Sequence, residues 1–590
     1  MLRLAALSGS VAAALALAFA GTAGAQTTQL FTGVTYQDTV QFTPHGPVAV
    51  HVVKGPRPVG LYRLSPVLSN GTVTGRETVS SMERRLSTQA TTVGVNGDFF
   101  NFADGHPSGM LLRDGVLVTA PNAARSTAGV SLDGTLDVRR ISLHGTVRGL
   151  GQRRTLNFLN KPPGKNGISI FTSDWGRATP KIAGSLALVL SPFPAATPNA
   201  DLAAPVVSVA QDGPIAVAPG TAVLVARGAA AAKLQTEAPV GTTVTVRLIL
   251  QPNWSTISDA IGGGPILVRN RKPVYRANEA FTTSQIAPRD PRTAVGQTAD
   301  GSILLLTTDG RQPGYSVGMT NFELAQTLVR LGAVQGMALD SGGSTTMAFD
   351  GTVLNSPSDG KERRVADALL LTYTGVYAAP PSAAVVSPNG DGIDDTETLA
   401  FKVVRPSNAT VTLTGPDGAA AYQQASQDQP GTYQVPFPPQ VTTPPGQPPP
   451  PTTPAPAEGR WTLTVSATDD QGLASTATRK FAVNSTLGFL QVAPKTLALP
   501  PGGRSLAVKW TQARAAQVKV VLETVDGTPL RTLASTRYEA GPQTISWNGR
   551  LRSGKLATGG RYLIGVTATN ELGSVVLAAP LTVRRIAGSK

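Results

Sequence analysis

Apolar residues recur mostly at alternate positions along this chain, so strands dominate the expected structure. Val48-Ala49-Val50-His51-Val52-Val53 reads as one strand, and Thr92-Val93-Gly94-Val95 as another that runs out into Asn96-Gly97-Asp98-Phe99-Phe100. Met110 to Val118 reads as a hairpin about an Asp114-Gly115 turn. Helical spacing intrudes twice. Ser80-Ser81-Met82-Glu83 fits a capping box opening a short helix to about Ser87. Thr320-Asn321-Phe322-Glu323 fits a second box, with Phe322, Leu324, Ala325, Leu328, Val329 and Leu331 spaced for burial and Gly332 as the stop. Ile303 to Leu339 therefore reads strand, loop, helix, strand, an α/β unit inside a β-rich region. Residues 125–250 read as short β segments, with the Ala-rich 194–233 as peripheral β structure and loose turns.

After about Tyr377 the pattern becomes purely β, as in Ala409-Thr410-Val411-Thr412-Leu413 and Trp461-Thr462-Leu463-Thr464-Val465. A Pro/Thr-rich stretch, 436–456, interrupts it and reads as exposed polyproline-like chain. The expected fold class is multidomain: an α+β domain, β-rich with a mixed sheet and a few helices, followed by two all-β immunoglobulin-like sandwiches. The division is 1–25 as a secretory signal peptide, 26–378 as the catalytic-type domain, 379–484 as a sandwich with the 436–456 insert, and 485–590 as a second sandwich.

Length alone, 590 residues, calls for several cores. Arg3, the apolar Val11 to Ala20 and Ala23-Gly24-Ala25 form the signal pattern, so the mature chain is expected to be secreted or held at the envelope. No later segment is long and apolar enough to span a bilayer, and with 0 cysteines each domain must be stable through its core. A formal net charge of +15 favours anionic partners, phosphodiesters or wall polymers. No basic run is interleaved with aromatics, so nucleic acid is not expected. Nothing in the sequence fixes the oligomeric state.

The stretch with most chemical content is Met337-Ala338-Leu339-Asp340-Ser341-Gly342-Gly343-Ser344-Thr345-Thr346-Met347. A buried strand delivers one carboxylate, and two glycines then free backbone N–H groups for an anion nest. An Asp-Gly-Gly turn between strands would look the same on this loop alone.

Six motifs in order carry a wider resemblance: Asn96-Gly97-Asp98-Phe99-Phe100, Gly262-Gly263-Gly264-Pro265, Pro291-Arg292-Thr293-Ala294-Val295-Gly296, Asp309-Gly310-Arg311-Gln312-Pro313-Gly314-Tyr315-Ser316, Leu339-Asp340-Ser341-Gly342-Gly343-Ser344 and Asn355-Ser356-Pro357-Ser358-Asp359-Gly360. Over about residues 30–377 the chain resembles the phosphodiester glycosidase family, the uncovering-enzyme-like group acting on N-acetylglucosamine-1-phosphodiesters. It departs in having Ser341 where the family has glycine, tolerable if φ stays negative, and Asp367 where the family often has Asn. The tail resembles bacterial surface immunoglobulin-like repeats, the second of flagellar-hook-cap type.

The resemblance implies hydrolysis of a sugar C1–O bond with a phosphate ester leaving, on a phosphorylated glycan or anionic wall polymer. Phosphate leaves readily, so the needs are phosphate donors and a carboxylate at the oxocarbenium-like centre. Asp340 and then Asp98 are the candidates for that carboxylate, with turn capping as the competing role. Arg292 and Arg311 are candidate phosphate clamps. Gly342, Gly343, Ser344 and Thr345 would complete the cradle, and Asp309 would orient Arg311 or its loop. Asn96 would bind a sugar hydroxyl or cap its strand, while Ser316 and Asn355 line the site by resemblance only. No cofactor is required. Asn389, Asp391, Asp394 and Asp395 compose a loop compatible with calcium, although Ile393 and Asp394 break the EF-hand pattern. The rival readings are a P–O phosphodiesterase on teichoic-acid-like polymers and a non-catalytic surface glycopolymer-binding protein.

Overall fold

The computed structural model describes residues 26–274, 277–439, 455–500 and 503–586. The proposed signal segment and most of the Pro/Thr-rich insert lie outside the described residues. The chain forms two compact units, one of residues 25–375 and one of 376–590 apart from 470–473.

Four sheets build the first unit. One eight-stranded sheet centres on Gly46–Gly55, Ile303–Thr308, Arg292–Thr298 and Ala333–Ala338, which pair antiparallel in that order. Arg292–Thr298 lies between Ile303–Thr308 and Ala333–Ala338, so the connection through the helix Asn321–Arg330 is a crossover. That helix begins with both bonds of the Thr320–Glu323 capping box and buries Leu324, Ala325 and Leu328 against the sheet. A five-stranded sheet holds Thr91–Asn96 between Met347–Phe349 and Asp367–Tyr373. A second five-stranded sheet runs Val116–Thr119, Leu111–Arg113, Ile257–Gly262, Ser126–Ser131, Leu136–Arg140. The early helix spans Val79–Leu86, but its cap is Thr78, whose side chain accepts from Ser81 N, rather than Ser80.

The Ala-rich stretch is more ordered than its composition suggests. It supplies the 11-residue strand Asp201–Gln211, the strand Ala222–Arg227 and the helix Ala229–Glu237. Ala204, Val206, Ala222, Leu224 and Leu234 join a continuous core, so the expectation of peripheral structure is corrected. Small residues give a weak periodic signal yet pack closely once neighbouring strands supply the bulk.

In the second unit a three-stranded and a five-stranded sheet share the core of Phe437, Trp461, Leu463 and Phe481. Another such pair shares the core of Trp510, Trp547, Val520 and Ile564. Gly459–Asp469 shows the cause: Trp461, Leu463, Val465 and Ala467 alternate inward with outward-facing polar residues. This region is β-rich throughout. Among the described residues no helix is long and apolar enough to cross a membrane.

Thr320→Ala removes one side of the observed capping box and should cost about 1 kcal/mol. Denaturant unfolding checks this, and an unchanged midpoint would mean that the box is idle.

Candidate active site

Ends of three strands from two sheets converge on one place. Asp98 follows the strand Thr91–Asn96 by two residues, Asp340 follows Ala333–Ala338 by two, and Asp367 opens Asp367–Tyr373. Backbone bonds lock them together: Asp340 N donates to Gly97 O at 2.9 Å, and Gly97 N to Asp367 O at 3.0 Å. Asn96 is the tie between loops. Its Nδ2 donates to Asp340 O at 2.9 Å, and its Oδ1 accepts from Thr293 Oγ1 at 2.7 Å and Thr346 N at 3.1 Å. All its polar atoms are spent and it is fully buried, so it positions the loops rather than offering itself to a sugar.

The three carboxylates differ in access. Asp98 is buried, with Oδ1 accepting from Phe99 N at 2.8 Å and Oδ2 from Gly109 N at 2.6 Å. Asp367 lies behind it, Oδ1 accepting from Asp98 N at 2.7 Å while buried Oδ2 has no protein partner. Asp340 alone keeps part of its surface in solvent, and its Oδ1 accepts from Ser341 N at 2.8 Å. Burial pushes Asp340 up to about 6, opposed by the Ser344 hydroxyl, the Ser341 N–H and the Arg363 and Arg125 cations. Burial pushes Asp98 up to about 7, opposed by its two N–H donors and Arg125, with the Asp340 charge adding. Asp367 is raised well above the carboxylate range by burial and then by the Asp98 charge. Like charges in low dielectric oppose one another's ionisation, so each of the three is held above the ordinary carboxylate value.

Beside Asp340 the loop forms a short turn, Gly342–Ser344. Ser341 sits at φ −132 and ψ −175, extended backbone that any residue adopts, so the departure there is harmless. Gly342 needs its φ of +67, and a Cβ on it would lie 3.0 Å from Arg311 Nη2. Gly343 is required for space instead: a Cβ would collide with Arg363 Nη2 and Asp359 Oδ2. Two guanidinium groups thus lie against the two glycines. Arg311 is itself held at φ +59 and braced by Asp290 Oδ1 at 2.8 Å, while Arg363 is braced by Asp359 and reaches Ser344 Oγ at 3.4 Å. A non-glycine residue at positive φ is strained backbone of the kind that clusters at functional sites.

Several expected roles change. Arg292 is buried and donates to the carbonyls of Met319, Gln285 and Pro288 at 3.0, 3.0 and 2.7 Å, so it is a structural strut, not a clamp. Burial pushes its pKa down to about 10. Ser344 is buried with its hydroxyl on Asp340, and Thr345 is buried with its hydroxyl unpartnered, so neither hydroxyl is open to a ligand. Asp309 does not brace Arg311. It accepts from Tyr315 at 3.0 Å, Asn355 Nδ2 at 2.9 Å and Ser356 N at 3.1 Å, and its Oδ2 lies 2.9 Å from His51 Nε2. Burial raises its pKa, but His51, Asn355 and Ser356 more than offset this and leave it below the usual value. Asn355 also donates to Thr345 O at 3.3 Å, and buried Ser316 joins Ala49 N to Asp309 O. These residues hold the loops around the site.

Sequence reading missed Arg125, Arg363 and Asp367 as members of the site, and His51 as the partner of Asp309. Arg125 lies between the rings of Phe99 and Phe281, 4.9 and 4.5 Å from their centroids, and its buried Nε has no protein acceptor. It faces Asp98 and Asp340 and lines a cleft of about 610 Å³ together with Asn101, His106, Asn122, Asn157 and Lys161. Its only local signal is one cation among small residues entering a strand. In the tail, Asp395 accepts from the N–H groups of Asn389, Gly390 and Gly392, and Asp391 from those of Ile393 and Phe489. Asn389 is tied to Ser387 and Leu487, so much of this loop's oxygen is committed to its own backbone. Burial and then the Asp391 charge raise Asp394. Among the described residues no group of three or more His, Cys, Asp or Glu is disposed to hold a metal ion.

Residues 197–372 match the family model described as phosphodiester glycosidase, and residues 499–571 that of the FlgD Ig-like domain. The chain is 36% identical over 107 residues to the SPbeta prophage-derived uncharacterized protein YomE of Bacillus subtilis (strain 168). It is 37% identical over 68 residues to the N-acetylglucosamine-1-phosphodiester alpha-N-acetylglucosaminidase of Bos taurus. These matches take in 18% and 12% of this chain and only 16% and 12% of the two relatives' lengths. A solved structure of a hypothetical protein from Synechocystis aligns at 24% identity with a TM-score of 0.49, over 59% of this chain and 64% of that one. The matched span contains Asp340, Arg311, Arg363 and Asp367, whereas Asn96, Asp98 and Arg125 precede it.

Asp367→Asn keeps the acceptor for Asp98 N and removes the titration. A raised folded pKa gives stability that is full below the unfolded value and lost as pH rises toward the folded one. The variant should therefore gain on wild type above about pH 4, by at most about 1.4 kcal/mol per pH unit. Melting curves from pH 4 to 8 measure this; a difference constant with pH would mean that Asp367 holds no proton.

Proposed function

We propose that the chain is a secreted hydrolase that cleaves the C1–O bond of a sugar-1-phosphodiester, within a phosphorylated extracellular glycan. The observation that carries this reading is the partly open Asp340 carboxylate next to a glycine turn flanked by the Arg311 and Arg363 guanidiniums. The similarity of residues 197–372 to the phosphodiester glycosidase model supports the reaction class, and the name of the bovine relative supports a sugar-1-phosphodiester.

In this reading the phosphate lies against the Arg311 and Arg363 guanidiniums beside the Gly342–Gly343 turn, whose Gly342 N–H is not free for it, being bonded to Pro291 O at 2.9 Å. Arg311 and Arg363 neutralise the charge that the phosphate gains as it leaves. The Asp340 carboxylate faces C1, stabilises the developing positive charge and takes a proton from the attacking water. The water oxygen bonds to C1 as the C1–O(phosphate) bond breaks, and the phosphate monoester departs with the bridging oxygen. Arg125 presents its cation to the cleft, where an anionic or hydroxyl-rich part of the chain beyond the phosphate would rest. Asp98 and Asp367, both out of reach of substrate, hold a proton behind Asp340 and set its charge. The tail is read as two immunoglobulin-like sandwiches, 379–484 and 485–590, that display the 26–378 domain at the cell envelope.

Turnover of an N-acetylglucosamine-1-phosphodiester in heavy-oxygen water tests the bond cleaved. Label on the sugar is expected; label on the phosphate would overturn the reading in favour of P–O cleavage. Asp340→Asn should lower kcat/KM by roughly 10²–10⁴-fold with the fold intact. Because Asp340 works as the anion, kcat/KM should rise with pH through about 6. Arg363→Gln, which removes a cation that favours that anion, should move the midpoint upward and raise KM. A midpoint that stays put would remove Arg363 from the surroundings of Asp340.

A further inference from the structure

The second sheet pair of the tail contains a groove of about 780 Å³ that plays no part in the chemistry above. Its walls come from the edge strand Pro529–Tyr538, its neighbour Ala516–Thr524 and the turn after Gly541–Trp547. Four cations line it, Lys519, Arg531, Arg550 and Arg552, and no carboxylate does. Some cations of the same unit are paired, Arg514 with Glu458 and Glu571 and Arg537 with Glu539, so counter-charges are within reach where the fold supplies them. Among the described residues none of the four groove cations has an ion-pair partner. Glu523, close enough to Lys519 to feel its charge, is not part of the lining.

Two of the three arginines are nonetheless held. Arg531 Nη1 donates to Arg550 O at 2.6 Å, where the Trp547 indole N–H also donates at 2.8 Å. Arg550 Nη1 donates to Gly554 O at 2.9 Å. A carbonyl satisfies one N–H without neutralising the charge, so these side chains are ordered while their cations stay available. Clustering like charges without counter-charge costs stability, which an anionic ligand would recover. The rest of the lining suits a sugar chain: Pro529, Leu530 and Leu551 offer apolar surface, and Thr532 and Asn548 offer hydrogen bonds. No aromatic side chain lines the groove, so the stacking platform that single-stranded nucleic acid uses is missing.

We infer that this groove is a binding site for a linear anionic polysaccharide, whose carboxylates or phosphates pair with Lys519, Arg531, Arg550 and Arg552. The site would hold the protein on a polyanionic glycan independently of turnover at Asp340.

The test uses the full chain, wild type against Lys519→Glu/Arg552→Glu, two exposed residues whose side chains make no hydrogen bond or ion pair among the described residues. Binding to polygalacturonate and to a phosphomannan is measured at low salt and again at physiological salt. Wild type should bind at least one polymer, with affinity falling as salt rises. The double variant should bind at least about tenfold more weakly, at unchanged melting temperature and unchanged hydrolysis of a small phosphodiester, while Asp340→Asn binds like wild type. Binding of the uronate alone or the phosphate polymer alone identifies the anion. No binding of either polymer, or equal binding by the double variant, would overturn the assignment. Tighter groove-dependent binding of single-stranded DNA than of either glycan would overturn it as well.

Discussion

Three carboxylates, Asp98, Asp340 and Asp367, share one buried place, and the first unit is arranged around making that tolerable. Removing a carboxylate from water is costly unless hydrogen bonds replace the solvent. Here the replacements are mainly backbone N–H groups, from Phe99 and Gly109 for Asp98, Ser341 for Asp340 and Asp98 itself for Asp367. Such donors can be aimed only if the strands that carry them are fixed. The bonds from Asp340 N to Gly97 and from Gly97 N to Asp367 fix them, and Asn96 bridges the same loops. Burial raises all three groups; the Ser344 and Ser341 donors with Arg363 and Arg125 hold Asp340 to about 6, while Asp98 stands at about 7 and Asp367 well above the carboxylate range.

Local signals made much of the fold legible. Apolar runs marked the strands that lead to Asp98 and Asp340, and the Thr320–Glu323 box with Gly332 marked the helix, because those signals need only neighbouring residues. The hairpin at Asp114-Gly115 was legible for the same reason. The strand and helix between Asp201 and Glu237 were not, since runs of alanine carry little periodic contrast and their burial depends on partners far along the chain. Sheet neighbours such as Thr91–Asn96 with Asp367–Tyr373 join residues about 270 apart, and nothing local to either strand specifies the pairing.

The site divided along the same line. Asp340, Asp98 and the two glycines stand where their motifs suggested, because a carboxylate after an apolar strand is a local pattern. Cations were the difficulty. Arg292 lies in a conspicuous motif, yet its guanidinium is consumed by three carbonyls from residues 285, 288 and 319. Arg125 and Arg363 lie in unremarkable sequence and reach the carboxylates only through the tertiary fold. What an arginine does depends on which acceptors surround it, and a sequence does not list them.

Acceptor type separates the arginines of this chain physically. Three carbonyls around a buried guanidinium, as at Arg292, leave it no face for a ligand. A single carboxylate brace, as Asp290 gives Arg311 and Asp359 gives Arg363, fixes direction but cancels much of the charge. Such a clamp can hold a phosphate without binding it so tightly that product is retained, which suits a site that must turn over. A carbonyl brace with no carboxylate, as at Arg531 and Arg550, fixes direction and keeps the whole charge. That arrangement suits holding rather than release. The excess of cations in the chain, +15 overall, is therefore not one diffuse property. On the proposed reading, one part of it serves a partly neutralised cradle at Arg311 and Arg363, and another the groove of Lys519, Arg531, Arg550 and Arg552, whose lining holds no carboxylate.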